Sequence, residues 1–341
     1  MSNIAIIGAG AWGTALSIVL GRKETHQVRL WAHEKEVCES IAQQQRVNEK
    51  FLPGQTIPAC VTPCNDLAEA LEGSTIVVSV MPSQHCRRLF ERMRPHLHAE
   101  TLIVSATKGL EENSLLRMTE VIAQVCNRDD RPALRIGALS GPSFALEAAR
   151  GDPTAIAVAS QDKELARTVQ QEFSHASFRI YTNEDPVGVE LGGALKNTIA
   201  IAAGVSAGLG FGHNSVAALI TRGLAEMTRL VVACGGRAET MAGLAGLGDL
   251  VLTCTGGLSR NRSVGVELGR GRKLPEILAG MHGTVAEGIF TTAAAVGLAR
   301  ARGVEMPITE QMHAILHEGK APREAIYELM TRSSKGESLR T

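Results

Sequence analysis

Hydrophobic and polar positions form two kinds of segment over the first 182 residues. Short apolar runs rich in β-branched residues predict strands at 4–7, 28–31, 75–80, 102–106, 136–139, 155–159 and 178–181. Longer amphipathic segments between them predict helices at 13–21, 35–44, 84–93, 115–125 and 163–173. Such alternation is typical of a parallel sheet covered by helices on both faces. We therefore predict an α/β fold, with an N-terminal Rossmann-type doubly wound parallel sheet over residues 1–182.

The pattern changes after Asn183–Pro186. Strand-like runs nearly disappear, and segments rich in Ala, Leu and Gly predict helices at 187–207, 215–234, 264–269, 291–302 and 308–317. We predict a second, all-helical domain over residues 183–332 that serves substrate binding and catalysis. A polar tail follows at 333–341.

A glycine-rich turn follows the first predicted strand and opens the first predicted helix. Its pattern is Gly8-x-Gly10-x-x-Gly13. In this context Gly8 permits a tight turn, Gly10 admits a pyrophosphate close to the backbone, and Gly13 lets helix and strand pack closely. The helix N-terminus offers N–H groups to the phosphates. The turn predicts that a nicotinamide dinucleotide binds here.

The end of the second strand bears on the choice between NAD and NADP. A carboxylate there would bind the adenosine ribose and select NAD. Here Trp31 is followed by Ala32 and His33, with Glu34 and Lys35 next. His33, helped by Lys35, would accept a 2′-phosphate, so we predict that NADP is tolerated. The alternative is that Glu34 still binds the ribose and His33 is merely exposed.

Two further strand ends carry candidate ligand-binding residues, because open α/β sheets bind ligands beyond the carboxyl ends of their strands. Lys108 follows one apolar strand and precedes Gly109. It faces either the ligand crevice or solvent. Gly141 and Ser143 follow another strand, and Pro142 between them fits a first helical turn that could bind an anion.

Lys196 is the candidate for proton transfer in the helical half. Its helical neighbours are Gly192, Gly193, Ile199 and Ala200, so the ammonium lies on a small, apolar face. Desolvation there would lower its pKa toward the range that suits proton transfer. The alternative is a lysine that extends from the helix edge to water.

Two later segments offer polar groups to a ligand. Asp249 is the polar residue presented by the glycine-rich stretch 243–250. Ser259, Arg260 and Asn261 precede a predicted helix and combine a hydroxyl, a guanidinium and an amide, which are donors that a phosphate needs. The alternative for this second segment is a solvated basic loop.

Composition excludes several classes of function. The 35 Lys and Arg residues balance 35 Asp and Glu residues, so no overall basic field would attract nucleic acid or an anionic membrane. The seven cysteines form no C-x-x-C pair, which favours reduced thiols and no metal site. No signal peptide or membrane-spanning run is evident, so we expect a cytoplasmic protein without membrane insertion.

Taken together, these motifs are similar to those of the bacterial NAD(P)-dependent glycerol-3-phosphate dehydrogenases. The resemblance extends from Ile4 to about Arg332. It is carried by Gly-Ala-Gly-Ala-Trp-Gly-Thr-Ala-Leu at 8–16, Leu-Trp-Ala-His at 30–33, Asn48-x-x-Phe51-Leu52-Pro53-Gly54, Ala-Thr-Lys-Gly-Leu at 106–110, Ser-Gly-Pro-Ser-Phe-Ala at 140–145, Glu-Leu-Gly-Gly-Ala-Leu-Lys-Asn at 190–197, Gly-Leu-Gly-Asp-Leu at 246–250 and Ser-Arg-Asn at 259–261.

The resemblance implies reversible conversion of sn-glycerol 3-phosphate to dihydroxyacetone phosphate, supply of glycerol 3-phosphate for phospholipid synthesis, and a homodimer. It implies that Lys196 is the proton donor and acceptor, and that Lys108 touches cofactor and substrate. The implied substrate contacts are Gly141, Ser143, Asp249, Ser259, Arg260 and Asn261. The implied cofactor contacts are Ala11, Trp12, His33, Ala145, Arg260, Val285 and Glu287. Ala11 departs from the Ser of many members, but its backbone N–H is retained.

Two other functions remain open at this stage. A β-hydroxyacid-type dehydrogenase of the same plan would act on a carboxylate and would not need Ser259, Arg260 and Asn261. A non-enzymatic redox sensor that binds NAD(P) and a partner would not need Lys196 on its small-residue face. Activity with dihydroxyacetone phosphate distinguishes these alternatives.

Overall fold

The computed structural model describes residues 2–23, 25–43, 45–127, 132–281, 286–334 and 336. The chain folds into two compact units. A sheet unit comprises Met1–Thr107 and Met118–Pro186, and a helical unit comprises Lys108–Arg117 and Val187–Thr341.

The sheet unit contains a large sheet of eight strands and a small sheet of two. The strands are β1 (Ser2–Ile7), β2 (His26–Trp31), β3 (Val47–Asn48), β4 (Leu52–Thr56), β5 (Val61–Cys64), β6 (Ile76–Ser79), β7 (Leu102–Ser105), β8 (Arg135–Ser140), β9 (Thr154–Ala159) and β10 (Phe178–Asn183). The large sheet has the order β10-β9-β8-β7-β6-β1-β2-β5, and β3 pairs with β4. All seven predicted strands are confirmed, and so is the fold class.

One junction in the large sheet departs from the parallel arrangement. Strands β8 and β9 are antiparallel, whereas β9 and β10 are again parallel. The strands from β8 to β5 run parallel to one another, so their carboxyl ends lie at one edge. Alternation of strands and helices along the chain does not reveal this single reversal.

The helices of the sheet unit are α1 (Ala11–Gly21), α2 (Lys35–Ala42), α3 (Leu67–Leu71), α4 (Cys86–Met93), α5 (Met118–Cys126), α6 (Ala145–Arg150) and α7 (Lys163–Phe173), with short 3₁₀ turns at Ser83–His85 and Arg94–His96. Strand β1 is central, and its residues Ile4–Ile7 are buried on both faces. A continuous apolar run is what such a strand requires, because helices cover both sides of the sheet.

The helical unit contains α8 (Pro186–Gly208), α9 (His213–Ala233), α10 (Ala238–Met241), α11 (Asp249–Thr255), α12 (Arg260–Gly269), α13 (Leu274–Ala279), α14 (Glu287–Arg302), α15 (Pro307–His317) and α16 (Pro322–Met330), with a π-helical turn at Leu244–Gly248. Helix α8 is buried without a break from Gly188 to Ser206. It is the core helix of this unit, which explains why most of its residues are small or apolar.

Glycines let α12 approach α8 closely. A Cβ on Gly265 would lie 2.0 Å from the carbonyl oxygen of Ile201, and one on Gly204 would lie 2.0 Å from that of Arg262. No side chain could occupy these positions, so both glycines are required for the packing of the two helices.

Residues 108–117 cluster with the helical unit, although the division expected at residue 182 assigns them to the sheet domain. Leu110 joins the helical core, and an isolated bridge pairs Leu110 with Arg117. The Arg117 guanidinium donates to the Glu190 carboxylate of α8 over 2.5 Å. The helix predicted from residue 115 begins only at Met118, because Leu115 adopts a left-handed backbone with φ +60°.

No single helix in the part of the chain that the structure describes is long and apolar enough to cross a bilayer. The segments Ala238–Thr255 and Arg260–Gly269, which are bent relative to each other, reach the length and apolar composition of a membrane span only in combination.

Candidate active site

The glycine-rich turn joins β1 to α1, and two of its three glycines are fixed by packing. Gly8 has φ +123°, and a Cβ there would lie 2.1 Å from the carbonyl oxygen of Val80. A Cβ on Gly13 would lie 1.8 Å from the carbonyl oxygen of Gly8. By contrast, a Cβ on Gly10 would meet nothing within 4 Å. The turn is therefore packed tightly on its inner side and open at Gly10.

The open side of this turn fits a pyrophosphate. Helix α1 begins at Ala11, and the residue before it, Gly10, has no side chain that could cap the first N–H groups. These groups have no acceptor within the helix, and the helix dipole adds positive potential beside them. Ala11 and Trp12 are half-buried at this end. A dinucleotide therefore has a backbone donor set here that suits its phosphates.

Basic side chains are exposed at the end of the neighbouring strand β2. His33 is exposed, and its ring lies 5.8 Å from that of Trp31 between centroids. Lys35 is also exposed and forms a surface ion pair with Glu39. The nearby carboxylate of Glu34 lies 3.4 Å from the Lys50 ammonium. The carboxylate that would bind the ribose in the alternative interpretation is thus paired with a lysine at the surface.

The end of β8 reaches the same edge of the sheet. Gly141 has φ +147°, and a Cβ there would lie 2.9 Å from the Ile156 backbone, so only glycine fits. The Ser143 hydroxyl donates to the carbonyl of Gly141 over 2.9 Å. Helix α6 begins at Ala145, which is half-buried. The expectation that Pro142 lies in a first helical turn is therefore wrong, and Ser143 lies in the loop before the helix.

In the helical unit, Lys196 of α8 is buried and hydrogen-bonded. Its Nζ atom donates to Asp249 Oδ1 over 2.7 Å and to Thr253 Oγ1 over 2.6 Å. Burial, and to a lesser degree the Lys108 charge, lower the pKa of Lys196 to about 8 against the opposing effect of Asp249. The side chain does not extend to water, so the alternative of a lysine at the helix edge is wrong.

Lys108 contacts the other oxygen of the same carboxylate. Its Nζ atom lies 2.7 Å from Asp249 Oδ2. The Asp249 side chain is only 1% exposed, whereas that of Lys108 is 19% exposed. One buried carboxylate therefore holds two ammonium groups, of which Lys108 has the greater access to solvent.

Thr253 is a member of this cluster that the sequence analysis did not identify. Its hydroxyl donates to the backbone carbonyl of Asp249 over 2.6 Å, which leaves its lone pairs free to accept from Lys196. The signal was available, because Thr253 follows Asp249 by four residues and therefore lies on the same face of a helix.

A π-helical turn positions Asp249 at the first residue of α11. A Cβ on Gly246 would lie 2.2 Å from the Met241 carbonyl oxygen, and one on Gly192 would lie 2.7 Å from that of Ala245. Gly192 thus allows the turn to pack directly on α8, the helix that carries Lys196, and Gly246 allows the turn to pack against Met241 of α10. Single π turns within helices are frequent at functional sites.

The Ser259–Asn261 segment begins α12. The Ser259 hydroxyl caps this helix by accepting from the N–H of Arg262 over 3.2 Å. The Asn261 amide donates to Asn197 Oδ1 over 2.9 Å and accepts from the N–H of Gly288 over 2.9 Å. Because Asn197 follows Lys196 directly, Asn261 is tied to the helix that carries the buried lysine. Arg260 is exposed, but Ser259 and Asn261 are buried, so the segment is not simply a solvated loop.

The structure thus brings together Lys108, Lys196 and Asp249 in the helical unit, with Asn261 joined to the same helix. The dinucleotide turn, His33, Gly141 and Ser143 lie at one edge of the sheet in the other unit. Glu287 is half-buried at the start of α14, and its charge acts on Arg260. Val285 lies outside the described residues. Among those that are described, no group of three or more His, Cys, Asp or Glu side chains could hold a metal ion.

Both units match the two models of one protein family. Residues 3–166 match the N-terminal model of NAD-dependent glycerol-3-phosphate dehydrogenase, and residues 185–327 match the C-terminal model. The chain belongs to this family. The match spans the glycine-rich turn and the lysine–aspartate cluster alike.

Similar proteins support the same assignment over the full length. The chain is 66% identical over 337 residues to the glycerol-3-phosphate dehydrogenase [NAD(P)+] of Koribacter versatilis, with 99% of each chain covered. It is 56% identical to that of Acidobacterium capsulatum, covering 99% of this chain and 100% of the relative. The crystal structure of glycerol-3-phosphate dehydrogenase from Coxiella burnetii has a TM-score of 0.92 and 42% identity, covering 97% of this chain and 99% of that one.

Replacing Asp249 by Asn tests the shared carboxylate. We expect the free energy of unfolding to fall by roughly 3 kcal/mol or more, because two ammonium groups lose a buried counter-charge. Urea unfolding followed by circular dichroism measures this change.

The matched control is Asp152→Asn, which removes the carboxylate of the exposed ion pair with Arg150. We expect no measurable change there, since exposed pairs contribute little. Equal unfolding midpoints for the two variants would contradict the structural importance of the Asp249 carboxylate.

Proposed function

We propose that this chain catalyses the NAD(P)-dependent interconversion of dihydroxyacetone phosphate and sn-glycerol 3-phosphate. The observation that carries the proposal is the buried Lys196, held by Asp249 and Thr253 beside Lys108. A lysine with a pKa near 8 can exchange a proton with a substrate oxygen at neutral pH. Membership of the family whose relatives bear this name supports the choice of substrate.

The dinucleotide is held by the sheet unit through backbone groups. Gly8, Gly10, Ala11, Trp12 and Gly13 form the phosphate-binding turn. When bound, the reduced nicotinamide supplies the hydride that reduces the ketone carbon. Further contacts to the dinucleotide are assigned, following the family, to Lys108, Ala145, Arg260, Val285 and Glu287.

Lys196 handles the proton of the reaction. In the direction of reduction its ammonium donates a proton to the oxygen that gains negative charge. In the direction of oxidation its neutral amine accepts the hydroxyl proton. Thr253 and Asp249 orient the Nζ atom for both steps, since each accepts a hydrogen bond from it.

Lys108 and Asp249 set the charge and orientation around this lysine. The partly exposed Lys108 ammonium stabilises developing negative charge on the substrate oxygen, because a fixed cation in a poorly solvated site acts strongly. Asp249 keeps both ammonium groups in place and partly supports the protonated state of Lys196.

The substrate phosphate is bound by Ser259, Arg260 and Asn261 at the start of α12. Arg260 offers an exposed guanidinium, and Asn261 retains one amide hydrogen beyond the one it donates to Asn197. Gly141 and Ser143 contribute further contacts to the substrate. Binding a phosphate remote from the reacting carbon helps to hold that carbon in position.

The proposal also covers the choice of cofactor, the cellular location and the oligomeric state. Exposed His33 and Lys35 accept the 2′-phosphate of NADP, while Glu34 is engaged by Lys50. The enzyme acts in the cytoplasm as a homodimer and supplies glycerol 3-phosphate for phospholipid synthesis.

A spectrophotometric assay tests the proposed reaction directly. Adding dihydroxyacetone phosphate to the protein with NADH or NADPH should remove absorbance at the nicotinamide band with either cofactor. A carboxylate ketone such as ketopantoate serves as the control substrate and should give no turnover. Turnover of the carboxylate alone would overturn the proposal, and strong exclusion of NADPH would overturn the role of His33.

Lys196→Met tests the proton-transfer step while keeping the length of the side chain. We expect kcat to fall by about 10²–10⁴ fold, the usual contribution of a general acid or base. The dissociation constant for NADH should stay nearly constant, since the dinucleotide turn belongs to the sheet unit. Lys163→Met, on an exposed surface pair with Glu184, is the matched control. A Lys196→Met enzyme with near-normal kcat would exclude this lysine from the chemistry.

The lowered pKa of Lys196 predicts opposite pH profiles for the two directions. Reduction needs the ammonium, so kcat/KM for dihydroxyacetone phosphate should fall as pH rises above about 8. Oxidation needs the neutral amine, so kcat/KM for glycerol 3-phosphate should fall as pH drops below about 8. Steady-state rates between pH 6.5 and 10 check both limbs, and parallel profiles in the two directions would contradict the assignment.

A further inference from the structure

Asn48 is a buried residue that the proposed reaction does not use. It ends strand β3 of the small sheet and is 0% exposed. We propose that Asn48 is a positioning residue that sets the orientation of the Ala9–Gly10 peptide in the dinucleotide turn. The inference rests on the proposed binding of NAD(P) at that turn.

Every polar atom of the Asn48 side chain is engaged. Its Nδ2 atom donates to the carbonyl oxygen of Ala9 over 2.8 Å and to Thr14 Oγ1 over 2.8 Å. Its Oδ1 atom accepts from the N–H of Phe51 over 3.1 Å. The Phe51 N–H can only donate and the Ala9 carbonyl can only accept. These two partners therefore determine the positions of the oxygen and the nitrogen of the Asn48 amide.

The bond to Ala9 has a consequence on the opposite side of the turn. In a trans peptide the carbonyl of one residue and the N–H of the next point in opposite directions within one plane. A carbonyl of Ala9 held inward by Asn48 therefore directs the N–H of Gly10 outward. Gly10 lies where the turn is open, since a Cβ there would meet nothing within 4 Å.

The alternative orientation of this peptide would harm phosphate binding. If the plane rotated, the Ala9 carbonyl would face outward and present a partial negative charge to the pyrophosphate. The Thr14 hydroxyl also reaches the Ala9 carbonyl, but over 3.3 Å, and it is itself bonded to Asn48. Asn48 is thus the group that favours the orientation with a donor toward the ligand.

Two variants remove the donors while altering the side-chain volume little. Asn48→Asp retains an acceptor for Phe51 but loses the amide hydrogens, and Asn48→Leu removes all polar atoms. We expect the dissociation constant for NADH to rise at least about tenfold in each, the effect of losing one hydrogen bond to a charged group. Adenosine carries no phosphate, so its dissociation constant should change less than about twofold.

Ser40→Ala is the matched control. The Ser40 hydroxyl donates to the carbonyl of Val47 in the same strand over 2.9 Å, so this change loosens β3 without touching the Ala9 carbonyl. We expect its NADH and adenosine affinities to match those of the unaltered protein. Fluorescence titration with NADH and calorimetry with adenosine provide the constants, and circular dichroism verifies folding.

Hydrogen exchange on the unaltered protein tests the inference without any substitution. The Gly10 amide should exchange at least tenfold more slowly in saturating NADH, because it donates to the pyrophosphate. An unchanged Gly10 exchange rate, or an equal loss of NADH and adenosine affinity in the Asn48 variants, would overturn the inference. If the unaltered protein bound neither NADH nor NADPH, the proposed function itself would fall.

Discussion

The candidate chemistry of this protein depends on one buried carboxylate that is shared by two lysines. Asp249 binds Lys196 through Oδ1 and Lys108 through Oδ2, each over 2.7 Å. Burying an ammonium is costly without such a partner, and burying a carboxylate is costly for the same reason. The ion pairs with Asp249 offset much of this cost for the buried charges. Burial nevertheless lowers the pKa of Lys196 to about 8. The environment of Lys196 thus stabilises its ammonium group and still allows the group to exchange a proton near neutral pH.

Several features of the helical unit serve to place these three groups. The π-helical turn at Leu244–Gly248 presents Asp249 to α8, and its glycines allow the necessary contact. Segment 108–117 leaves the sheet unit and brings Lys108 to the cluster, while the Arg117–Glu190 pair holds its far end. Substitution by larger residues at Gly192 or Gly246 would therefore displace the carboxylate as well as the packing.

The two units use different chemical means. The sheet unit offers backbone N–H groups at a helix end, which bind phosphates with little dependence on side-chain identity and so tolerate Ala11. The helical unit offers buried charged side chains, and the proposed proton transfer depends on their charges and distances. Asn48 combines the two means in our proposal, because its side chain acts by orienting the Ala9–Gly10 peptide group.

Many of the strands and candidate site residues could be predicted from the sequence. The seven apolar runs were long and β-branched enough to predict their strands, whereas β5 escaped notice because Val61–Cys64 is short and contains Pro63. The helical turn within the glycine-rich stretch 243–250 was not predicted, because glycine disfavours a regular helix. The packing role of these glycines depends on partners that are distant in the sequence. Lys196 was identified through its small, apolar neighbours along the helix. Thr253 was not identified, and Asn48 appeared only within a family motif and without a role, since a single hydroxyl or amide gives no local signal of its contacts.

The sequence by itself determined the class of fold, the dinucleotide turn and the candidate residues, because periodicity and glycine spacing report on local geometry. Only the tertiary structure decided that Lys108 and Lys196 share one carboxylate, that residues 108–117 cluster with the helices, and that Asn48 reaches Ala9. These are contacts between residues 39 to 141 positions apart. Their existence depends on which surfaces pack together, and no local pattern encodes that.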